Sequence, residues 1–168
     1  AIKMQIYPND EQSHKIDVTL SHCRYIYNKM LERNTVIYNR RKEHLNYYAM
    51  QNLLPGMKDY LPWLKEADSK ALQYACRQLN TAFEKFFHKQ GGYPKFHSKR
   101  GKQSYTTTHA SVICVESHRV KLPCLGWIRT SDKRMPKGKL CYATVSHDTD
   151  GRYYVSICYE TEMPDAIS

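Results

Sequence analysis

A hairpin near the end of the chain decides the fold: residues 140–160 read LCYATVSHDTDGRYYVSICYE. Two β-prone runs, 140–147 and 152–160, stand on either side of the tetrapeptide Asp-Thr-Asp-Gly at 148–151. Asp-Gly favours a tight turn between antiparallel strands, because Asp tolerates positive φ and Gly adopts it freely. The residues of the second run alternate between two faces, which is the period of a strand. An antiparallel sheet is therefore expected in this part of the chain.

Four shorter β-prone runs precede the hairpin and are separated by Ser, His, Pro and Gly. They cover residues 105–109, 111–115, 119–122 and 127–129. One more run opens the chain, where Ile2, Met4 and Ile6 alternate with polar residues before Pro8. A lone strand is not stable in water, so this one is expected to join the later strands. Short strands divided by regular turns predict a barrel or a sandwich, and an OB-like β-barrel is expected.

The region between the first strand and the later strands has helical periodicity. Asn9 and Gln12 have the spacing of a capping box, and a long apolar stripe follows them as far as Tyr38. A second helix is expected from about 46 to 54, where the Pro-Gly pair at 55–56 should end it.

A third helix is expected to begin at Asp68 or Ser69 and to end at the glycine pair 91–92. The predicted fold class is α+β, with a helical bundle inserted after the first strand of a β-barrel. The corresponding segments are 1–8 for the first strand, 9–91 for the helical part and 92–168 for the rest of the barrel.

Positive charge is concentrated in two segments. Residues 85–102, the first basic segment, contain six Lys and Arg and no acid; residues 119–139, the second basic segment, contain seven and one acid, Asp132. These segments account for more than the whole formal net charge of +10. Charges gathered in this way repel one another, and a polyanion such as nucleic acid relieves the repulsion; a solvated basic face is the alternative. The candidate RNA- and phosphate-binding residues are Lys95, Lys99, Arg100, Lys102, Lys121, Arg129, Lys133, Arg134, Lys137 and Lys139.

Composition argues against several other classes of protein. No apolar run approaches the roughly 20 residues that span a bilayer, so we expect no membrane partner and a place in the cytosol. The six cysteines form no C-x-x-C pair, and they are expected to be buried free thiols. The acids of the later half are scattered or lie in turns, whereas metal-assisted phosphodiester cleavage needs clustered carboxylates. No metal site and no catalytic residue are therefore expected in this chain.

Several short sequences are distinctive as an ordered set. They stand at 6–9, 23–28, 54–55, 62–65, 69–73, 82–87, 92–96, 104–108, 121–123 and 125–127. In this order they resemble the N-terminal half of TnpB, a family of insertion-sequence proteins related to the compact type V CRISPR effectors. The resemblance covers nearly all of the 168 residues.

The resemblance implies an RNA-guided DNA endonuclease whose partners are a guide RNA and double-stranded target DNA. In that family a wedge β-barrel carries an inserted helical recognition domain, and a RuvC-like nuclease domain with a zinc-finger insertion follows. Residues 163–168 stand about where the nuclease domain would begin. The catalytic domain is therefore expected to be absent, Mg²⁺ and Zn²⁺ are expected only in the missing C-terminal half, and this chain is not expected to be an enzyme.

The resemblance also implies that the third helix and the end of the threonine run approach a short motif beside the DNA target. Gln73 and Arg77 are four apart and share one exposed helix face, where Gln can read adenine and Arg guanine; Lys70, Tyr74 and Gln78 are rivals. The family usually has Asn where His109 stands, and His offers only one contact to a base. The candidate motif-binding residues are Tyr47, Gln73, Arg77, Thr107, Thr108 and His109.

Three functions remain open from the sequence. The first is a nucleic-acid-binding portion of a TnpB-like endonuclease that binds guide RNA and the adjacent motif and cuts nothing alone. The second is a small RNA-guided DNA-binding regulator or an accessory to transposition. The third is an unguided OB-like RNA-binding protein. Trp127 and Tyr142 could stack on RNA bases, although the apolar neighbours of Trp127 favour a place in the core.

Overall fold

Three helices and a seven-stranded antiparallel sheet make up the computed structural model of the chain, which describes residues 1–160. The helices are α1 (Asp10–Arg41), α2 (Tyr47–Tyr60) and α3 (Ser69–Phe87), with a 3-10 turn at Pro62–Glu66. The strands are β1 (Ile2–Tyr7), β2 (Gln103–Thr107), β3 (Cys114–Glu116), β4 (Arg119–Leu122), β5 (Gly126–Thr130), β6 (Lys139–His147) and β7 (Tyr153–Glu160). The predicted α+β class is confirmed. The end of the predicted segment 92–168, with Glu162 and Asp165, lies outside the described residues.

The order of strands in the sheet is β2-β6-β7-β1-β5-β4-β3. β1 lies between β7 and β5, with Ile2 opposite Ile157 and Ile6 opposite Thr130. The prediction that the first strand joins the later strands is therefore confirmed. Within residues 1–160 no pairing joins the outer strands β2 and β3, so closure into an OB-like barrel stays a prediction, as does the division into three segments.

The sheet buries one face, and β1 supplies the clearest case. Ile2, Met4 and Ile6 are all buried, while Lys3 and Tyr7 between and beyond them are exposed. Each buried aliphatic side chain contributes about 1.5–3 kcal/mol through loss of apolar surface from water. On the helical side, α1 and α3 pack on each other and both contact β2, so β2 is where sheet and helices meet.

The start of α1 confirms the predicted capping box and adds a second role for it. The Asn9 side chain accepts from the Gln12 backbone N–H at 2.8 Å, and the Gln12 side chain accepts from the Asn9 N–H at 3.0 Å. The Gln12 amide also donates to the carbonyls of Leu125 (3.1 Å) and Trp127 (2.8 Å). Gln12, the second member of the capping box, thus also fixes α1 to the beginning of β5.

The prediction that the Pro-Gly pair ends the second helix is wrong. Pro55 lies inside α2, which continues to Tyr60. Proline removes one backbone hydrogen bond and crowds the preceding turn, but Pro55 is exposed while Leu54 and Met57 are buried. Burial of those two side chains in consecutive turns offsets the local cost, so tertiary packing overrides the local signal.

The third helix has Asp68 as its cap, one of the two predicted residues, and it ends earlier than predicted. Asp68 is the N-cap, and its Oδ1 accepts from the Lys70 N–H at 2.9 Å. The helix stops at Phe87, before the glycine pair, because Lys89 takes the left-handed turn with φ of 58°. Glycine favours that conformation but is not required for it.

The expectation that all the cysteines are buried is right for Cys23 and Cys76 only. Cys114 and Cys124 are exposed, and the remaining two are half-buried. Cys114 opens the short outer strand β3 and Cys124 lies in the turn before β5, with φ of 67°. These are places where few other side chains can cover a thiol.

Candidate nucleic-acid interface

The first basic segment has no helix or strand between the end of α3 and β2, yet its path over α1 is fixed by specific contacts. The Asn28 side chain donates to the His97 carbonyl at 3.0 Å and accepts from the His97 N–H at 2.7 Å. The His97 ring stacks on Tyr27 with 3.8 Å between ring centres. The hydroxyls of Thr35 and Tyr93 lie 2.7 Å apart. The segment is therefore an ordered loop laid along the helix.

The cations of the first basic segment all lie on the surface. Lys102 is within 4.0 Å of Asp148, and the other five have no ion pair within residues 1–160. Burial, and secondarily Arg24, lowers the pKa of His97 below its usual value, so this histidine is neutral at pH 7. The positive charge of the loop therefore belongs to its Lys and Arg side chains.

A cavity of about 330 Å³ lies where the first basic segment meets α1, α3 and β2. Arg24, Arg100 and Lys102 are among its lining residues. Arg24 donates to the Gln103 side-chain oxygen at 3.1 Å. The Gln103 amide nitrogen in turn donates to the carbonyl of Ser98, in the loop, at 3.0 Å. Three cations around one polar cavity form an arrangement that suits a phosphate group. Sequence reasoning missed Arg24, which lies on α1 some 70 positions before the loop it joins.

In the second basic segment, two of the seven cations have acidic partners. Arg119 donates from Nε to Glu116 at 2.7 Å, and Arg134 donates from Nε to Asp132 at 2.7 Å. The hydrogen bond from Arg134 holds the pKa of Asp132 below its usual value, so this acid stays ionised. The cations of this segment with no ion pair in the described part of the chain are Lys121, Arg129, Lys133, Lys137 and Lys139.

The expectation that Trp127 lies in the core is wrong, because 37% of its surface is exposed. Its neighbours Ile128 and Thr130 in β5 point inward, so the period of the strand turns Trp127 and Arg129 outward. The Arg119 guanidinium lies 4.1 Å from the centre of the Trp127 ring.

Three of the predicted motif-binding residues lie together on α2 and α3. The Arg77 guanidinium is 5.2 Å from the centre of the Tyr47 ring, and Gln73 stands one helical turn before Arg77. Arg77 is exposed, and Gln73 and Tyr47 are half-buried. Among the rivals, Gln78 is exposed, while Lys70 and Tyr74 are half-buried.

Thr107, Thr108 and His109 lie at the end of β2, beside the beginning of α3. The Thr107 hydroxyl donates to Asp68 at 2.5 Å, and Thr107 is 1% exposed. Thr108 is exposed, and His109 is half-buried. The structure thus places the threonine run near the helix that carries Gln73, with the Thr107 hydroxyl already occupied inside the protein. Base contacts by these three residues stay predictions.

The described residues contain neither a cluster of metal ligands nor a membrane-spanning helix. Within residues 1–160, no group of three or more His, Cys, Asp and Glu side chains could hold a metal ion. Across that range, no helix is both long and apolar enough to cross a membrane.

Exposed cations on an ordered loop, a polar cavity where Arg24 joins two of them, and a face of α3 with Gln73 and Arg77 define a basic protein of the nucleic-acid-binding class. Comparison with known proteins narrows the class. A family profile described as "Helix-turn-helix domain" matches residues 1–43. The chain is 28% identical over 165 residues to InsQ of Escherichia coli K12, named as an RNA-guided DNA endonuclease; the match covers 97% of this chain and 41% of InsQ.

Two further relatives are similar to this chain. A protein of Streptomyces pristinaespiralis, also named as an RNA-guided DNA endonuclease, is 30% identical over 174 residues, covering 98% of this chain and 42% of the relative. The virulence protein VsdF of Salmonella dublin is 32% identical over 113 residues, covering 61% of this chain and 95% of VsdF. The chain belongs to the TnpB family. It spans about two fifths of the length of the two endonuclease relatives.

The name of the matching profile does not describe the local structure. Residues 1–43 form β1 and one continuous helix, Asp10–Arg41, with no turn between two helices. The usual docking of a second, recognition helix in the major groove therefore has no counterpart within the matched residues, and α3 is the better candidate for a helix that reads DNA.

Proposed function

We propose that this chain is the nucleic-acid-binding portion of a TnpB-family RNA-guided DNA endonuclease. It holds the guide RNA through its basic surfaces and reads the motif beside the DNA target with α3. It supplies binding and no cleavage, and it acts in the prokaryotic cytosol or nucleoid. The relatives named as endonucleases and the charge distribution support this function.

The observation that carries the proposal is the first basic segment, whose cations are free while its backbone is fixed. Five of its six cations have no ion pair within residues 1–160, and the contacts of Asn28 and Tyr93 hold the loop in place without using those charges. A merely solvated face needs no such support. Fixing the backbone beforehand lowers the ordering cost of binding, and free cations release counterions from phosphates.

Recognition of the adjacent motif is assigned to the exposed face of α3. Arg77 can donate two hydrogen bonds to guanine, and Gln73 can pair bidentately with adenine. Tyr47 packs against the Arg77 guanidinium at 5.2 Å, which restricts the directions in which that side chain can point. Thr108 is exposed directly after β2 and follows Thr107, whose hydroxyl donates to Asp68 at the beginning of α3; we assign it a contact with the sugar-phosphate backbone.

Selection from DNA duplexes with a randomised stretch tests the motif assignment. The wild-type chain, loaded with RNA from the transposon end, should enrich a short motif. Gln73→Ala and Arg77→Ala should each relax one position, at a cost of about 1–3 kcal/mol. Gln78→Ala, an exposed substitution on the same helix, should leave the motif unchanged. Equal enrichment by all four proteins would remove α3 from recognition.

Binding and cutting can be separated in one further experiment. Affinity for the transposon-end RNA should fall steeply as salt rises from 50 to 200 mM, by roughly 1,000-fold if about six phosphates are contacted. The RNA-loaded chain should leave supercoiled target plasmid intact in Mg²⁺. An affinity that salt does not change would contradict the electrostatic part of the proposal, and a linearised plasmid would contradict the absence of cleavage.

One observation favours a second candidate, a small RNA-guided DNA-binding regulator. The alignment covers 95% of VsdF within 113 residues, so a curated relative of this chain is itself short. If the chain with its RNA occupied a matching promoter and reduced transcription there, the regulator would be preferred.

A further inference from the structure

The outer face of the sheet carries three pairs in which a cation lies over an aromatic ring. The pairs, with the distance from the charged group to the ring centre, are Arg119 and Trp127 (4.1 Å), Lys3 and Tyr154 (5.0 Å), and Arg129 and Tyr7 (5.8 Å). They come from four neighbouring strands, β7, β1, β5 and β4. The proposed function uses cations of this region for RNA in general and assigns no role to the aromatic rings beside them.

Strand register makes these pairs one continuous surface, the outer sheet face. Arg129 stands opposite Tyr7 on one side and opposite Arg119 on the other. Tyr154 stands opposite Gln5, two residues before Tyr7 on the same face of β1. The alternate residues of the same strands are buried in the core, so the side chains of the outer sheet face are not needed to fill the interior.

Exposure argues that this surface has a partner. Trp127 is 37% exposed and Tyr7 is 45% exposed, on a face that carries four cations, Lys3 and Lys121 with Arg119 and Arg129, against two acids of the described strands, Glu116 and Glu160. Large aromatic side chains in strands usually point inward, whereas these lie outside beside positive charge.

The chemistry of the outer sheet face matches unpaired nucleotides better than a duplex. A duplex presents phosphates and keeps its base faces stacked inside, whereas a single strand offers both. Aromatic rings and guanidinium planes stack on exposed bases, and neighbouring cations contact the phosphates between them. We propose that the outer sheet face binds a single-stranded stretch of nucleic acid, with bases stacked on Trp127 and Tyr7 and phosphates bound by Lys121 and Arg129.

This inference rests on the proposed function, which names nucleic acid as the partner. It adds that the nucleic acid is single-stranded and names the residues that bind it. Two sources share the chemistry, an unpaired stretch of RNA and a displaced strand of DNA. Oligouridine and oligothymidine of equal length are therefore both used as probes. Binding of either one in the manner below supports the proposal, and the tighter of the two identifies the source.

The two tryptophans of the chain allow a direct test. Trp63→Phe leaves Trp127 as the sole tryptophan, and Trp127→Phe leaves Trp63, which is equally exposed at 37% but packs on His22 and Tyr25 in the helical part. Addition of oligouridine or oligothymidine should quench the emission of Trp127 and leave that of Trp63 nearly constant. Quenching of Trp63 alone, or of neither, would overturn the proposal.

Affinity gives an independent measurement. Trp127→Ala should weaken single-strand binding by roughly 5- to 100-fold, while a duplex of the same length should bind as before. Trp127→Phe should retain most of the affinity, and Trp63→Ala should retain all of it. Thermal melting checks that each variant is folded. Equal loss of duplex and single-strand binding in Trp127→Ala would refute stacking, whereas failure of the wild type to bind any nucleic acid would refute the proposed function itself.

Discussion

The two basic segments have the same net charge in the sequence and differ in what that charge can do. The first is an ordered loop on α1 whose cations are free, apart from Lys102 near Asp148. The second covers β4, β5 and the loop after β5, and its Arg119 and Arg134 are already bound to acids. Arg119 also covers an indole ring. Each segment thus keeps five cations without an ion pair within residues 1–160, and the segments differ in where those cations lie rather than in how many there are. A cation that already faces a carboxylate releases little counterion when it meets a phosphate.

The first prediction compares the two segments directly and should give the largest effect. Lys95, Lys99 and Arg100 changed together to Gln should weaken binding to a nonspecific DNA duplex roughly 100- to 1,000-fold at 50 mM salt, and lower the salt slope by about 3. The same change at Arg119, Arg129 and Arg134 removes equal charge but should cost only roughly 10-fold, since two of these three arginines have acidic partners. Titration at several salt concentrations measures both numbers. Equal losses would mean that the acids do not reduce the availability of the arginines.

The second prediction concerns the core beneath both segments, where sheet and helices meet. Burial raises the pKa of the Cys76 thiol from 9.0 to about 12, and burial also raises the pKa of Cys23 and Tyr105. These groups are protonated in the folded protein and ionise more readily when it unfolds. Their contribution is therefore complete below pH 9 and is lost as pH rises through the folded-state values. Each ionising group should lower the free energy of unfolding by about 1.4 kcal/mol per pH unit in that window.

Urea unfolding with reductant between pH 7 and 11 measures this loss. Cys76→Ala should make the decline above pH 9 less steep, although it lowers stability at neutral pH by leaving a small cavity. Cys114→Ala removes an exposed thiol and should leave the pH profile unchanged. If the stability of the wild type and of Cys76→Ala fell equally steeply above pH 9, the decline could not be assigned to ionisation of Cys76.

The third prediction tests whether the order of the loop matters to the first segment. Asn28→Ala removes both hydrogen bonds to the His97 backbone, so the loop must be ordered again upon binding. We expect duplex affinity to fall roughly 5- to 10-fold, or about 1–1.4 kcal/mol, with the salt slope unchanged. Asn39→Ala, at an exposed site on the same helix, is the matched control. A lower slope would mean that the loosened loop no longer brings all its cations to the phosphates.

The fourth prediction has the smallest expected effect and acts on the second segment in the opposite direction. Glu116→Gln releases Arg119 and should tighten duplex binding about 2- to 3-fold, with a salt slope steeper by up to about 0.9. Glu11→Gln makes the same charge change at the Lys15 pair, outside both segments. If both variants bind equally tightly, the gain reflects overall charge rather than a freed arginine.

Local signals in the sequence predicted those parts of the fold that depend on neighbouring residues. The capping box at Asn9 and the Asp-Gly hairpin are both confirmed. The continuation of α2 through Pro55 was missed, because it depends on burial of Leu54 and Met57 by other elements. Trp127 was assigned to the core because its neighbours are apolar, whereas strand alternation turns it outward.

The candidate site was predictable only in part, for the same reason. Charge counting located both basic segments, but no pattern shows which cations have acidic partners, since that depends on folded positions. The link from Thr107 to Asp68 joins residues 39 positions apart. A threonine run followed by His109 looks equally suited to base contact along its length, and only the fold distinguishes the buried Thr107 from the exposed Thr108.

The central place of β1 has a consequence for how the protein is made. Its partners, β5 and β7, are translated long after it, and Ile2 pairs with Ile157. During translation the helices can form before β5 and β7 have been made. Until then the first strand has no partner strand, and its aliphatic side chains are exposed to contact with other chains. Contacts between such distant positions slow folding, so a chaperone that shields the nascent amino terminus should raise the yield of native protein.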